Sequence, residues 1–143
     1  MKMWSGRFRQ PLDAQFERWQ RSFDFDRRLL KYELAASGAH ARALKNAGVL
    51  SADELIRVLR GLQQIGEMSS HVSQKKRDMG HPTAELADLV EDGDAEDVHH
   101  FVEKQLVARI GDVGYKLHSG RSRNEQIAAD LRLYARAAID ELR

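Results

Sequence analysis

Ser122-Arg123-Asn124-Glu125-Gln126-Ile127-Ala128-Ala129-Asp130-Leu131-Arg132-Leu133-Tyr134 opens the last 22 residues of the chain, and it reads as the start of a helix. Ser122 and Glu125 stand in capping-box spacing, in which the hydroxyl accepts from the N3 amide and the carboxylate reaches back to the cap amide. Ile127, Leu131, Tyr134, Ala138 and Leu142 then recur at three- and four-residue intervals, which predicts a helix with those side chains on its buried face. The helix meets Arg143 with no Gly, Asn or Pro stop, so the natural protein is expected to continue.

The same chemistry recurs upstream. Ser51-Ala52-Asp53-Glu54 is a second capping box, followed by Leu55, Val58, Leu59 and Leu62 at helical spacing. Before it, Leu30, Leu34, Ala41 and Leu44 share a helical face, and Gly48 is placed as the stop. The short link between these two helices predicts an antiparallel hairpin. Gly38 falls inside the first of them, and close helix packing is the expected reason. A third helix is expected over about 95–110, with Val98, Val102, Leu106 and Ile110 in line and Gly111 at its end. An arm and a short helix are expected over 1–21, an irregular link over 111–120, and mostly loop over 66–94 with a short helix at 83–90. The fold class is therefore all-α.

Composition narrows the function. The chain has 143 residues, a net charge of +1 and no cysteine, which excludes disulfides, thiol nucleophiles and cysteine-based metal sites. Near-neutral charge gives no reason to expect nucleic acid or an acidic membrane as partner. Lys75-Lys76-Arg77 is a short basic run without interleaved aromatics and reads as a solvated loop. No secretory signal or membrane-spanning stretch is visible, so a cytoplasmic location is the default expectation.

The densest polar cluster is His118-Ser119-Gly120-Arg121-Ser122-Arg123-Asn124, ahead of and over a helix start. Unpaired first-turn amides and the helix dipole favour an anion there, and arginine adds a planar fork for a carboxylate or phosphate. A solvated cap with exposed arginines weighs about equally against that reading on these grounds. In Glu96-Asp97-Val98-His99-His100-Phe101-Val102-Glu103, His99 and Glu103 share a helical face at the edge of a packed surface. The pair has no obvious third ligand, so no metal is expected. Ser22 to Asp26 reads as an ordinary helix start, with Asp26 able to cap the next helix.

These stretches also carry a resemblance. Lys116-Leu117-His118-Ser119-Gly120-Arg121-Ser122-Arg123-Asn124-Glu125-Gln126 resembles the K-L-H-T-G-R-S-R-N-D-Q block of the argininosuccinate lyases, with Ser119 for Thr and Glu125 for Asp. Met3-Trp4-Ser5-Gly6-Arg7-Phe8 resembles that family's L-W-G-G-R-F, and Glu96-Asp97-Val98-His99 resembles its E-D-I-H. Ser22 with Asp26-Arg27-Arg28-Leu29 resembles its S-x-x-x-D-x-x-L. The blocks occur in the family's order.

The resemblance implies an N-terminal portion of a fumarase/aspartase-type lyase. Residues 1–112 would be its N-terminal helical domain, and 113–143 its substrate loop and the start of the long central helix bundle. It implies cleavage of argininosuccinate to arginine and fumarate, with no cofactor and no metal, in a homotetramer of the full-length protein. Carried over by position, Ser22, Arg123 and Asn124 would contact substrate. Asp26, Asp97 and His99 would shape the polar wall, and His118, Ser119 and Arg121 would support the loop. The family's G-Y-T-H-L-Q block and its G-S-S-x-M-P-Q-K-K-N loop, which hold the catalytic acid and base, are absent, so no catalytic residue is expected in this chain. Ser69-Ser70 through Lys75-Lys76 has only a chance likeness to that loop. The alternative from another class is a non-catalytic structural or regulatory helical module of the same family.

Overall fold

A computed structural model describes residues 13–78 and 95–143. Among these residues every element is helical: α1 (Ala14–Gln20), α2 (Phe23–Asp26), α3 (Leu30–Asn46), α4 (Ala52–Asp78), α5 (Val98–Ile110) and α6 (Arg123–Glu141). A 3₁₀ turn at Arg27–Leu29 joins α2 to α3, and a second at Gly111–His118 follows α5. The expectations for the Met3–Phe8 block and the 83–90 helix lie outside the described residues.

Local chemistry starts and stops these helices as the sequence indicates. Asp13 caps α1 by accepting from the amides of Gln15 and Phe16. The Ser51 box forms in both directions, with Glu54 N donating to Ser51 Oγ at 3.1 Å and Ser51 N donating to a Glu54 carboxylate oxygen at 2.9 Å. Gly48 and Gly111 sit at φ 77° and 67°, the left-handed region that costs an L side chain energy and glycine almost nothing. Leu34 approaches Gly66 while Gly38 approaches Leu59, so α3 and α4 run antiparallel as a hairpin.

Helix α5 closes the core over that hairpin. Val98, Phe101, Val102 and Leu106 are buried against Leu30, Ala41, Leu44, Val58, Leu62 and Ile65. At the edge of this core the Phe23 and Phe101 rings tilt together at 5.4 Å, tying α2 to the first turn of α5.

Four expectations are corrected. Helix α4 runs to Asp78, so residues 66–78 are helix rather than loop; the serines and the basic run lack the Gly or Pro that would have stopped it after Gly66. The 111–120 link is largely a 3₁₀ helix to His118, pinned by Lys116 to Glu54 at 2.6 Å. The face of α6 is reversed: Ile127, Leu131, Tyr134 and Leu142 are exposed, and the buried positions are Gln126 and Asp130. Close packing also belongs elsewhere than Gly38. A Cβ there would meet ordinary contacts at 3.5 Å and beyond, whereas one on Gly61 would lie 2.6 Å from Leu106 Cδ1.

A paired substitution tests this packing. A Cβ on Gly114 would lie 3.0 Å from the Val107 backbone nitrogen, which cannot move aside alone. Gly114→Ala is expected to cost about 1–3 kcal/mol by overpacking. Gly38→Ala is expected to stabilise by about 0.4–1 kcal/mol, because its helical conformation suits alanine and the unfolded chain loses freedom. Urea denaturation of the two variants reads both signs.

Candidate functional site

Three helix starts, those of α2, α5 and α6, converge on the site. Ser22 precedes α2, and its backbone amide donates to Glu96 O at 2.9 Å, which brings it beside the start of α5. Its hydroxyl donates to Asp26 Oδ2, and the other Asp26 oxygen accepts from Val98 N at 3.0 Å. Asp26 thus makes no cap for the turn after it, contrary to the expectation; it satisfies a first-turn amide of α5, 72 residues away in sequence. Burial, reinforced by the nearby Asp97, raises the Asp26 carboxyl above the usual range against the pull of Ser22, Val98 and His99. Asp97 caps α5 through His100 N at 2.6 Å and turns its second oxygen to Arg123 Nε at 3.5 Å. Ser22, Asp26, Asp97 and Arg123 therefore form one polar line, and Asn124 stands exposed beside it on the first turn of α6.

Beneath that line lies a buried network. His99 Nδ1 is 2.8 Å from Glu33 Oε2 and 3.7 Å from Asp130 Oδ2. Ser37 Oγ and Gln126 Nε2 donate to Glu33 Oε1. Arg121 turns inward, donating to Ser37 Oγ at 3.1 Å with its guanidinium 3.9 Å from Glu33. Arg121 is thus held inward by protein, while Arg123, paired with Asp97, and the exposed Asn124 occupy the first turn of α6. His118 and Ser119 lie at the rim: His118 is 4.0 Å from Glu103, and the Ser119 carbonyl meets His40 Nε2 at 2.9 Å. A cavity of about 10 Å³, at the lower limit for one water, separates Glu33, His99 and Gln126 from His118.

Sequence reasoning passed over Glu33, Ser37, Gln126 and Asp130. A signal for the first two existed: Leu30, Glu33, Ser37, Ala41 and Leu44 recur at helical spacing, so Glu33 stands in an apolar phase. Gln126 and Asp130 offered none, because they face away from the apolar stripe of their own helix.

The two carboxyl groups divide their protonation. Burial works to raise Glu33, but His99, Ser37 and Arg121 outweigh it and hold its carboxylate below the usual range. Burial and the adjacent Glu33 charge push Asp130 up to about 8. Both Asp130 oxygens are buried and receive no hydrogen bond, so nothing compensates the carboxyl for ionising there. Glu33, His99 and Asp130 offer ligand atoms within 4.8 Å of one another. The donor set nevertheless fits a metal poorly, because Arg121 already supplies the cation and a protonated Asp130 has little to offer one.

This division has a pH signature. The folded chain keeps the Asp130 proton that the unfolded chain releases above about pH 4, so stability falls as pH rises from there to about 8 and then levels. Asp130→Asn cannot titrate. Its melting temperature relative to wild type is expected to climb across that window; a constant difference would refute the protonated Asp130.

The same residues stand in a region shared with known proteins. The family model described as lyase matches residues 6–143. The chain belongs to this lyase family. Among its relatives, the argininosuccinate lyase of Koribacter versatilis is 57% identical over 141 residues, covering 99% of this chain. That of Acidobacterium capsulatum is 51% identical over 142 residues, again 99% of this chain. That of Caldanaerobacter subterraneus subsp. tengcongensis is 46% identical over the whole chain. This lyase chain spans about 27% of the length of the first two relatives and 28% of the third. None of its described helices is long and apolar enough to cross a membrane.

Proposed function

We propose that this chain is the N-terminal portion of an argininosuccinate lyase, which eliminates fumarate from argininosuccinate to give arginine. The observation that carries the reading is identity of 46–57% across practically the whole chain to proteins of that name. The geometry supports it. Arg123 and Asn124 stand at the start of a helix of 19 residues, where first-turn amides and the dipole favour a carboxylate. Ser22, held by Asp26, adds a hydroxyl to the same polar line. In this reading Ser22, Arg123 and Asn124 hold the substrate. Asp26, Asp97 and His99 shape the wall, and His118, Ser119 and Arg121 support the loop. Elimination builds negative charge on the carboxylate next to the carbon that loses its proton, so preorganised donors there lower the barrier.

The domain division at 112/113, the homotetramer and the cytoplasmic location belong to the same proposal, as does a small-molecule substrate rather than nucleic acid or membrane. Exposed Ile127, Leu131, Tyr134 and Leu142 support an α6 that is completed by further protein. The test is fumarate release from argininosuccinate, followed by ultraviolet absorbance. The full-length product is expected to turn over. The 143-residue chain alone is expected to give none, because the blocks that would hold acid and base lie outside it. A full-length product without activity would favour a structural or regulatory module.

A further inference from the structure

One buried side chain links the hidden network to the outer polar line. Gln126 lies one turn into α6 and is 4% exposed. Its Nε2 donates to Glu33 Oε1 at 3.2 Å, and its Oε1 accepts from an Arg123 terminal nitrogen at 3.2 Å. The two bonds fix each other. An ionised Glu33 only accepts, so it demands the NH₂ end of the carboxamide; the carbonyl is then left for Arg123, which only donates. Glu33 is held in that state by His99 on α5, Ser37 on α3 and the Arg121 guanidinium. Arg123 is gripped on its other side by Asp97, the cap of α5.

We propose that Gln126 is a positioning residue for Arg123: its carboxamide, oriented by Glu33, sets where the Arg123 guanidinium is presented to a substrate carboxylate. The lyase reading supplies the substrate, and the proposal rests on it to that extent. Gln126 touches no substrate in this arrangement. Its effect is expected on the binding of the anion and so mainly on KM.

The test uses the full-length protein and two variants. Gln126→Leu removes both polar ends at similar volume, and is expected to raise KM for argininosuccinate ten-fold or more while kcat changes less than about three-fold. Gln126→Glu gives a pH signature. When the new carboxyl is protonated it can donate to Glu33 and accept from Arg123 as the carboxamide does. When ionised, it stands among Glu33, Asp130 and Glu103 and among His99, His118, Arg121 and Arg123, and it loses its donor to Glu33. The KM ratio of Gln126→Glu to wild type is therefore expected to approach one at low pH and to rise with pH. A purely structural residue would lower the melting temperature and leave KM alone, and that result in either variant overturns the proposal, as does a KM ratio for Gln126→Glu independent of pH. If Gln126→Leu does not fold, Gln126→Glu decides alone. If wild type shows no lyase activity, the function has failed and a crystal structure of either variant decides the positioning: Arg123 displaced supports it, and Arg123 in place overturns it.

Discussion

Asn124→Ala in the full-length protein is expected to lower kcat/KM for argininosuccinate by roughly 100-fold or more, with little change in melting temperature. The kinetic half comes from charge. A donor facing the carboxylate that gathers charge during elimination is commonly worth about 2.7–4 kcal/mol. Asn124 can both donate and accept, so it orients a dicarboxylate rather than merely attracting it. The stability half comes from the helix start itself. The cap of α6 is made by Ser122 and Glu125: Ser122 Oγ accepts from Glu125 N, and a Glu125 carboxylate oxygen accepts from Ser122 N at 2.7 Å. Asn124 is exposed and takes no part in that box, so its loss removes no cap. Steady-state kinetics and thermal melting on the one variant separate the two roles. Normal kcat/KM would end the substrate-contact assignment, and a large drop in melting temperature with intact kinetics would make Asn124 a structural residue.

Phe101→Ala is expected to cost about 3–5 kcal/mol of stability, the range for emptying a large aromatic from a packed core. Phe101 is 1% exposed, within the first turns of α5, and its ring lies against Phe23. These two rings hold together the elements that carry Ser22 and Asp26 on one side and Asp97 on the other. Their loss should therefore loosen the polar line as well as the core. Phe25, two residues from Phe23 but 60% exposed, is the control: Phe25→Ala should stay within about 0.5 kcal/mol of wild type. Equal losses for the two phenylalanines by urea denaturation would show that the α2–α5 contact does not carry this part of the fold.

What the sequence determined by itself was local. Capping chemistry needs only neighbours within three residues, so the Ser51 and Ser122 boxes and the Gly48 and Gly111 stops were all legible before any packing was known. Helical periodicity likewise gave α3, α5, α6 and the start of α4. The motif at Lys116–Gln126 pointed to the family, because nine matches in an eleven-residue block are a specific pattern.

Tertiary structure decided the rest, because periodicity fixes that a helix has two faces but not what each face meets. Gln126 is buried because Glu33 on α3 accepts from it across 93 positions of chain, and Asp130 is buried one turn on beside the same network, while Ile127 and Leu131 on the same helix remain exposed. A buried polar residue is stable only where distant groups satisfy it, and no local pattern encodes those groups. The same reason separates the two arginines of one motif. Arg121 turns inward because Glu33 and Ser37 await it, and Arg123 faces the α5 cap because Asp97 does.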